Sequence, residues 1–110
     1  MDNCIFCKIA KGELPADIVY ETADLLAFRD INPQAPTHVL LIPKKHFKFL
    51  DELQKDDKML AGELLLAASE VAAKLGVAGG YKLLTNCGEE AGQVVPHLHF
   101  HLLAGKKFIP

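Results

Sequence analysis

No stretch of this 110-residue sequence is apolar for long enough to span a bilayer. The longest candidate, "LLLAASEVAAKLG", is broken by Glu70 and Lys74, so no membrane partner is expected. The N-terminal "MDNCIFCK" lacks the basic region and apolar stretch of a secretory signal. There is no excess of positive charge. Twelve Lys and Arg face fourteen Asp and Glu, a net charge of -2, which argues against a nucleic-acid partner held through its phosphates. The local cluster Lys44, Lys45 and Lys48 reads as a solvated face. Cysteine is scarce and odd in number, three in all; without an export signal this disfavours a disulfide scaffold and leaves metal binding or free thiols. The expected compartment is the cytoplasm. Internal repeats and low-complexity segments are missing too. With 50% hydrophobic and 24% charged residues, residues 1–110 are expected to form one globular domain.

The order of local patterns predicts an α+β fold. "CIFCKIAKGELP" reads as a short helix closed by Gly12 and Pro15, with Asp2 or Asn3 as its N-cap. "IVYET", "LLAFRD" and "THVLLIP" read as three strands, the first two joined at Ala23-Asp24 and the last two by the proline-bearing loop "INPQAP". Between Asp56 and Leu75, residues Met59, Leu60, Leu64, Ala67, Ala68, Val71 and Leu75 recur at helical steps, and Gly76 is placed to stop the helix. "GYKLLTN" gives a fourth strand, the loop "CGEEAGQVV" follows, and "HLHFHLL" gives a fifth. Adjacent strands joined by hairpins suit an antiparallel sheet with helices against one face.

Three of the five histidines stand at alternate positions, His97, His99 and His101. Strand side chains alternate faces, so the three rings share one side while Leu98, Phe100 and Leu102 enter the core. One metal ion cannot gather all three, because the outer pair lies about 13 Å apart along a strand while metal bonds are about 2 Å long. A row of imidazoles can instead divide labour at an anion: a neutral central ring attacks while its neighbours donate hydrogen bonds. Phosphate is the natural anion, and Gly88 and Gly92 immediately upstream leave backbone N–H groups free to meet it. Glu89 and Glu90 would repel phosphate if they pointed inward, so they are expected to face solvent. Cys4 and Cys7 form a C-x-x-C pair that could be redox-active, metal-binding or incidental; the βαβ setting of a redox pair is missing.

The chain resembles the histidine triad (HIT) family, whose signature His-φ-His-φ-His-φ-φ (φ apolar) is met at all seven positions of "HLHFHLL". The likeness extends to its nucleotide-binding branch through "CIFCKIAKGELPA", "LAFRDINPQAPTHVLLIPKKH" and "GYKLLTNCGEEAGQ". It implies a HIT-like fold: a five-stranded antiparallel sheet with one long and one short helix, pairing as a homodimer into ten continuous strands. It also implies an AMP-type purine nucleotide ligand and hydrolysis of nucleoside phosphoramidates at the α-phosphate. In that reading His99 becomes transiently nucleotidylated, His97 and His101 hydrogen-bond phosphate oxygens and assist the leaving amine, and His38 supports them. Asp30 holds the ribose hydroxyls. Ile5, Phe6, Phe28, Ile31 and Leu40 form the purine pocket, and Asn86, Gln93, Val94 and Val95 cradle the phosphate.

Some bacterial relatives hold structural zinc with a set that maps to Cys4, Cys7, His46 and His97. Such zinc would withdraw His97 from acid–base work and leave that to His101. No organic cofactor is implied. Two departures stand out. Relatives often carry serine where this chain has Val94, and many end in a tryptophan-containing tail where this one ends "GKKFIP". Cleavage of dinucleoside polyphosphates, and regulatory nucleotide binding with vestigial catalysis, are the rival functions.

Overall fold

The computed structural model describes residues 3–110. A short helix α1 (Ile5–Ala10) precedes a meander of β1 (Ile18–Glu21), β2 (Leu25–Arg29) and β3 (Thr37–Pro43). The long helix α2 (Lys58–Lys74) follows, and then β4 (Tyr81–Leu84) and β5 (Phe100–Ala104). The five strands form one sheet in the order β1-β2-β3-β5-β4, with every neighbouring pair antiparallel. β5 therefore lies inside the sheet, between the central strand β3 and the edge strand β4. This is the α+β architecture expected.

One feature of the expectation is corrected: the helices lie on opposite faces of the sheet. Leu25, Ala27, Val39, Leu41, Leu98 and Leu102 pack against Leu64, Ala67, Ala68, Val71 and Ala72 of α2. Leu26, Phe28, Leu40 and Ile42 pack against Cys4, Phe6 and Cys7 at α1. The cause is written into the central strands. "LLAF" is buried at four successive positions and "HVLLIP" at six, so both faces are apolar and each needs a cover. Burying each large aliphatic side chain contributes about 2 kcal/mol, against which one uncovered face would be a severe loss.

Helix details differ from expectation at two points. Cys4 caps α1, its Sγ accepting the Cys7 N–H at 3.3 Å, in place of Asn3; Asp2, the other candidate, lies outside the described residues. Met59 is 78% exposed, and Ala72 takes a place on the buried stripe of α2. At the other end of the chain Gly105 has φ 95°, and a Cβ there would stand 2.7 Å from Pro36, so the tail can pass that proline only as glycine. None of the helices among the described residues is long and apolar enough to cross a membrane.

Candidate active site

The regular pairing of β5 starts at Phe100, so His97 and His99 lie just before the strand. The reason lies opposite them. β3 ends at Pro43, which has no N–H to donate, and the Leu98 N–H turns to Phe47 O at 2.7 Å instead. The alternation nevertheless continues through the unpaired residues. Leu98 and Leu102 are buried against α2, while His99 and His101 face the other side, their ring centroids 4.9 Å apart.

There they line a cavity of about 820 Å³ between the sheet, α1 and the loops after β2 and before β5. Its apolar wall is Ile5, Phe6, Ile9, Phe28, Leu40 and Leu103; Asp30, Ile31 and Asn32 border it on one side, and Asn86, Gly92, Val94 and Val95 on another. The structure thus brings together His99, His101, Asp30, Asn86 and the apolar residues singled out in the sequence. Ile31 and Val94 stand at the mouth, 91% and 90% exposed. Glu89 and Glu90 face solvent as expected.

Three of the expected residues do not reach the cavity wall. His38 is 3% exposed and sits behind His101. Gln93 is buried behind the loop: its Oε1 accepts the Gly88 N–H, and its Nε2 donates to Lys48 O and Val95 O. It braces the cradle in place of lining it. His97, fully buried, faces the two cysteines of α1.

Carbonyl oxygens only accept, and this settles the protonated nitrogen of each ring. His99 Nδ1 lies 2.7 Å from His97 O, so Nδ1 carries the proton and Nε2 keeps its lone pair. His38 Nδ1 accepts the Gln34 N–H at 3.0 Å, so His38 Nε2–H donates onward to His101 Nδ1 at 3.0 Å. His101 is then left with its proton on Nε2. Gln34 is a contributor that sequence reasoning missed, as it missed Ile9, Asn32 and Leu103 on the cavity wall, and since the Gln34 backbone acts, no side-chain pattern could have shown it. Asp30 Oδ2 lies 3.4 Å from His38 Nε2, while its Oδ1 accepts the Asn32 N–H. The proton on His38 Nε2 also argues against a metal ion among Asp30, His38 and His101, although their ligand atoms lie within 4.8 Å of one another.

Burial keeps these rings neutral. It pushes His38, His97 and His99 below the ordinary imidazole range. His101 falls to about 4, through burial first and then the neighbouring His99 and His38. A neutral His99 with a free Nε2 beside a donor ring is a nucleophile's arrangement.

Behind the cavity, Cys4, Cys7, His46 and His97 each offer one ligand atom, all within 4.8 Å of one another. His97 Nε2 donates to Pro43 O at 2.9 Å, which leaves Nδ1 unprotonated and facing Cys4 Sγ at 3.3 Å, Cys7 Sγ at 3.6 Å and His46 Nδ1 at 3.2 Å. His46 Nδ1 stands 3.3 Å from Cys7 Sγ. The edges of a zinc tetrahedron are about 3.3 Å between imidazole nitrogens and about 3.5 Å between nitrogen and sulfur, so the set has the dimensions of a metal site. Without a cation, burial and the Cys4 thiol raise the Cys7 pKa to about 11. The donor set is thus one that a divalent ion would complete.

A five-stranded antiparallel sheet in which the inner strand β5 and the residues just before it carry imidazoles into a cavity braced by a glycine loop defines a protein of the histidine-triad class. Its sequence matches the HIT domain over residues 11–108, and the chain belongs to that family. It is 52% identical over 107 residues to an uncharacterised HIT-like protein of Synechocystis, covering 97% of this chain and 94% of that one. A HIT family hydrolase from Clostridium thermocellum superposes with a TM-score of 0.96 at 49% identity, covering 100% of this chain and 96% of the other. The histidine triad nucleotide-binding protein of Candida albicans superposes at 0.80 and 41% identity, covering 91% and 73%.

Proposed function

We propose that this protein is a hydrolase of purine nucleoside 5′-phosphoramidates, working through a nucleotidyl-histidine at His99. The observation that carries this reading is the 2.7 Å contact from His99 Nδ1 to His97 O, which leaves Nε2 as the unprotonated nitrogen of a ring on the cavity wall. The base would lie among Phe6, Phe28, Leu40 and Ile5, the ribose hydroxyls on Asp30, and the phosphate among Asn86, Gly92 and the Val94–Val95 backbone.

His99 Nε2 attacks phosphorus as the phosphorus–nitrogen bond breaks. The amine takes up one proton, delivered from solvent past His101 Nε2–H. Water then attacks the nucleotidyl-histidine, freeing Nε2 and releasing the nucleoside monophosphate. The solved hydrolase and the nucleotide-binding protein named above support this assignment by likeness. Zinc on Cys4, Cys7, His46 and His97 would tie α1 to the His97 backbone and so hold the carbonyl that orients His99. The thiols need a reducing compartment, which agrees with the cytoplasm.

A homodimer is part of the reading. The edge strand β4 leaves one side unpaired within the chain, and α2 exposes Leu65 and Leu66, 59% and 67% accessible. His99→Ala should lower turnover of adenosine 5′-phosphoramidate at least about a thousandfold. Alkaline rapid quench followed by mass spectrometry should show a nucleotidyl adduct on the wild type alone. Retained turnover in the variant, or no turnover by the wild type, would sink the assignment.

A further inference from the structure

A second cavity, of about 490 Å³, adjoins the first, and Val94 lines both. Its walls are Phe49, Pro96, Val94 and Cys87, with Lys48, Glu89 and Glu90 among the lining residues. Nothing in the reaction derived above uses it. Val94 is a fixed ridge between the two spaces. Its neighbours on either side are tied down, Gln93 through its bonds to Gly88 N and Lys48 O, and Val95 through its carbonyl to Gln93 Nε2. The Val94 side chain is left 90% exposed, within reach of both spaces.

The phosphate end of the first cavity is bounded by Gly92, Val94 and Val95, so a substituent extending past the phosphate on that side meets Val94 and then the second cavity. We infer that the second cavity is the leaving-group subsite, and that it accepts amines bearing an apolar or aromatic substituent. This rests on the phosphoramidase reading. Phe49 and Pro96 supply an apolar floor, and the Phe49 ring already carries the Lys48 ammonium 5.7 Å from its centroid. Two carboxylates against one ammonium make the lining net negative, which disfavours polyphosphate leaving groups. Val94 thereby becomes a specificity residue: where a serine would offer a hydroxyl, valine offers a contact to the substituent.

The test compares adenosine phosphoramidates of ethylamine and phenylethylamine, two primary amines whose modest difference in basicity is common to every variant, so that the change in their ratio on substitution is the readout. The wild type should prefer the phenylethyl compound by about tenfold in kcat/KM, mainly through KM. Phe49→Ala should reduce that preference to about twofold, and Phe49→Leu, which keeps an apolar side chain at that position, should hold an intermediate value. Val94→Trp, by filling the ridge between the cavities, should abolish it. Because each result is a ratio within one variant, partial unfolding cancels. Turnover of both compounds at equal kcat/KM, or a preference unaffected by Phe49→Ala, would overturn the subsite and leave the phosphoramidase reading standing. Faster cleavage of diadenosine polyphosphate than of the phenylethyl compound would overturn it as well. No turnover of either amidate would overturn both readings together.

Discussion

His101 shows how one ring's surroundings set its chemistry. The backbone of Gln34 fixes His38, and His38 fixes His101, so a main-chain N–H decides which nitrogen of His101 carries the proton. Burial holds the pKa of His101 at about 4, against 6.5 for a free imidazole. The linkage follows from which state binds the proton. Between about pH 6.5 and pH 4 the unfolded chain protonates this residue and the folded one does not, so stability falls as the solution is acidified through that window. Above it the residue has no effect. Thermal denaturation at pH 7 and pH 5 should therefore show a smaller acid-induced drop in Tm for His101→Asn than for the wild type, by several degrees. Equal drops would mean that the ring is not held neutral by the fold.

At the scale of elements, α1 is a six-residue helix, too short to persist alone in water, and it is held by packing Cys4, Phe6 and Cys7 against the sheet. Purified protein should contain about one zinc per chain, and Cys7→Ser should abolish it and lower Tm by about 5–10 °C, measured by metal analysis and calorimetry. Full zinc content in the variant would refute the four-residue site. The same elements show what was legible beforehand. The five strands and most of the α2 stripe followed from periodicity, the insertion of β5 between β3 and β4 did not, and the alternation of His97, Leu98, His99 and Phe100 held even where hydrogen-bond pairing had not begun. The opposite placement of α1 was not read beforehand, although the unbroken runs "LLAF" and "HVLLIP" imply it, since an antiparallel sheet covered on one side cannot bury them. Gln93 was not legible as a brace. Its three bonds go to backbone atoms of Gly88, Lys48 and Val95, and only folding brings Lys48 near. The inward turn of His97 required knowing that Pro43 O stands opposite its Nε2.

For the whole molecule, the exposed Leu65 and Leu66 together with the open β4 edge are the features a second copy would cover. Leu66→Glu should leave the isolated chain folded, since the residue is 67% exposed, and convert a dimer to monomers in sedimentation at micromolar concentration. An unchanged sedimentation coefficient would place the contact elsewhere.

The neutral imidazoles carry a further consequence for the catalytic cycle. With His99 and His101 uncharged, the formal charges along the cavity wall are Asp17, Asp30 and Arg29, and Arg29 already pairs with Asp17 at 3.4 Å. A phosphoramidate arrives with one negative charge; a nucleoside monophosphate departs with nearly two. On the phosphoramidase reading proposed above, a wall whose formal charges sum to a negative value would hold the incoming molecule by shape and favour departure of the more highly charged product.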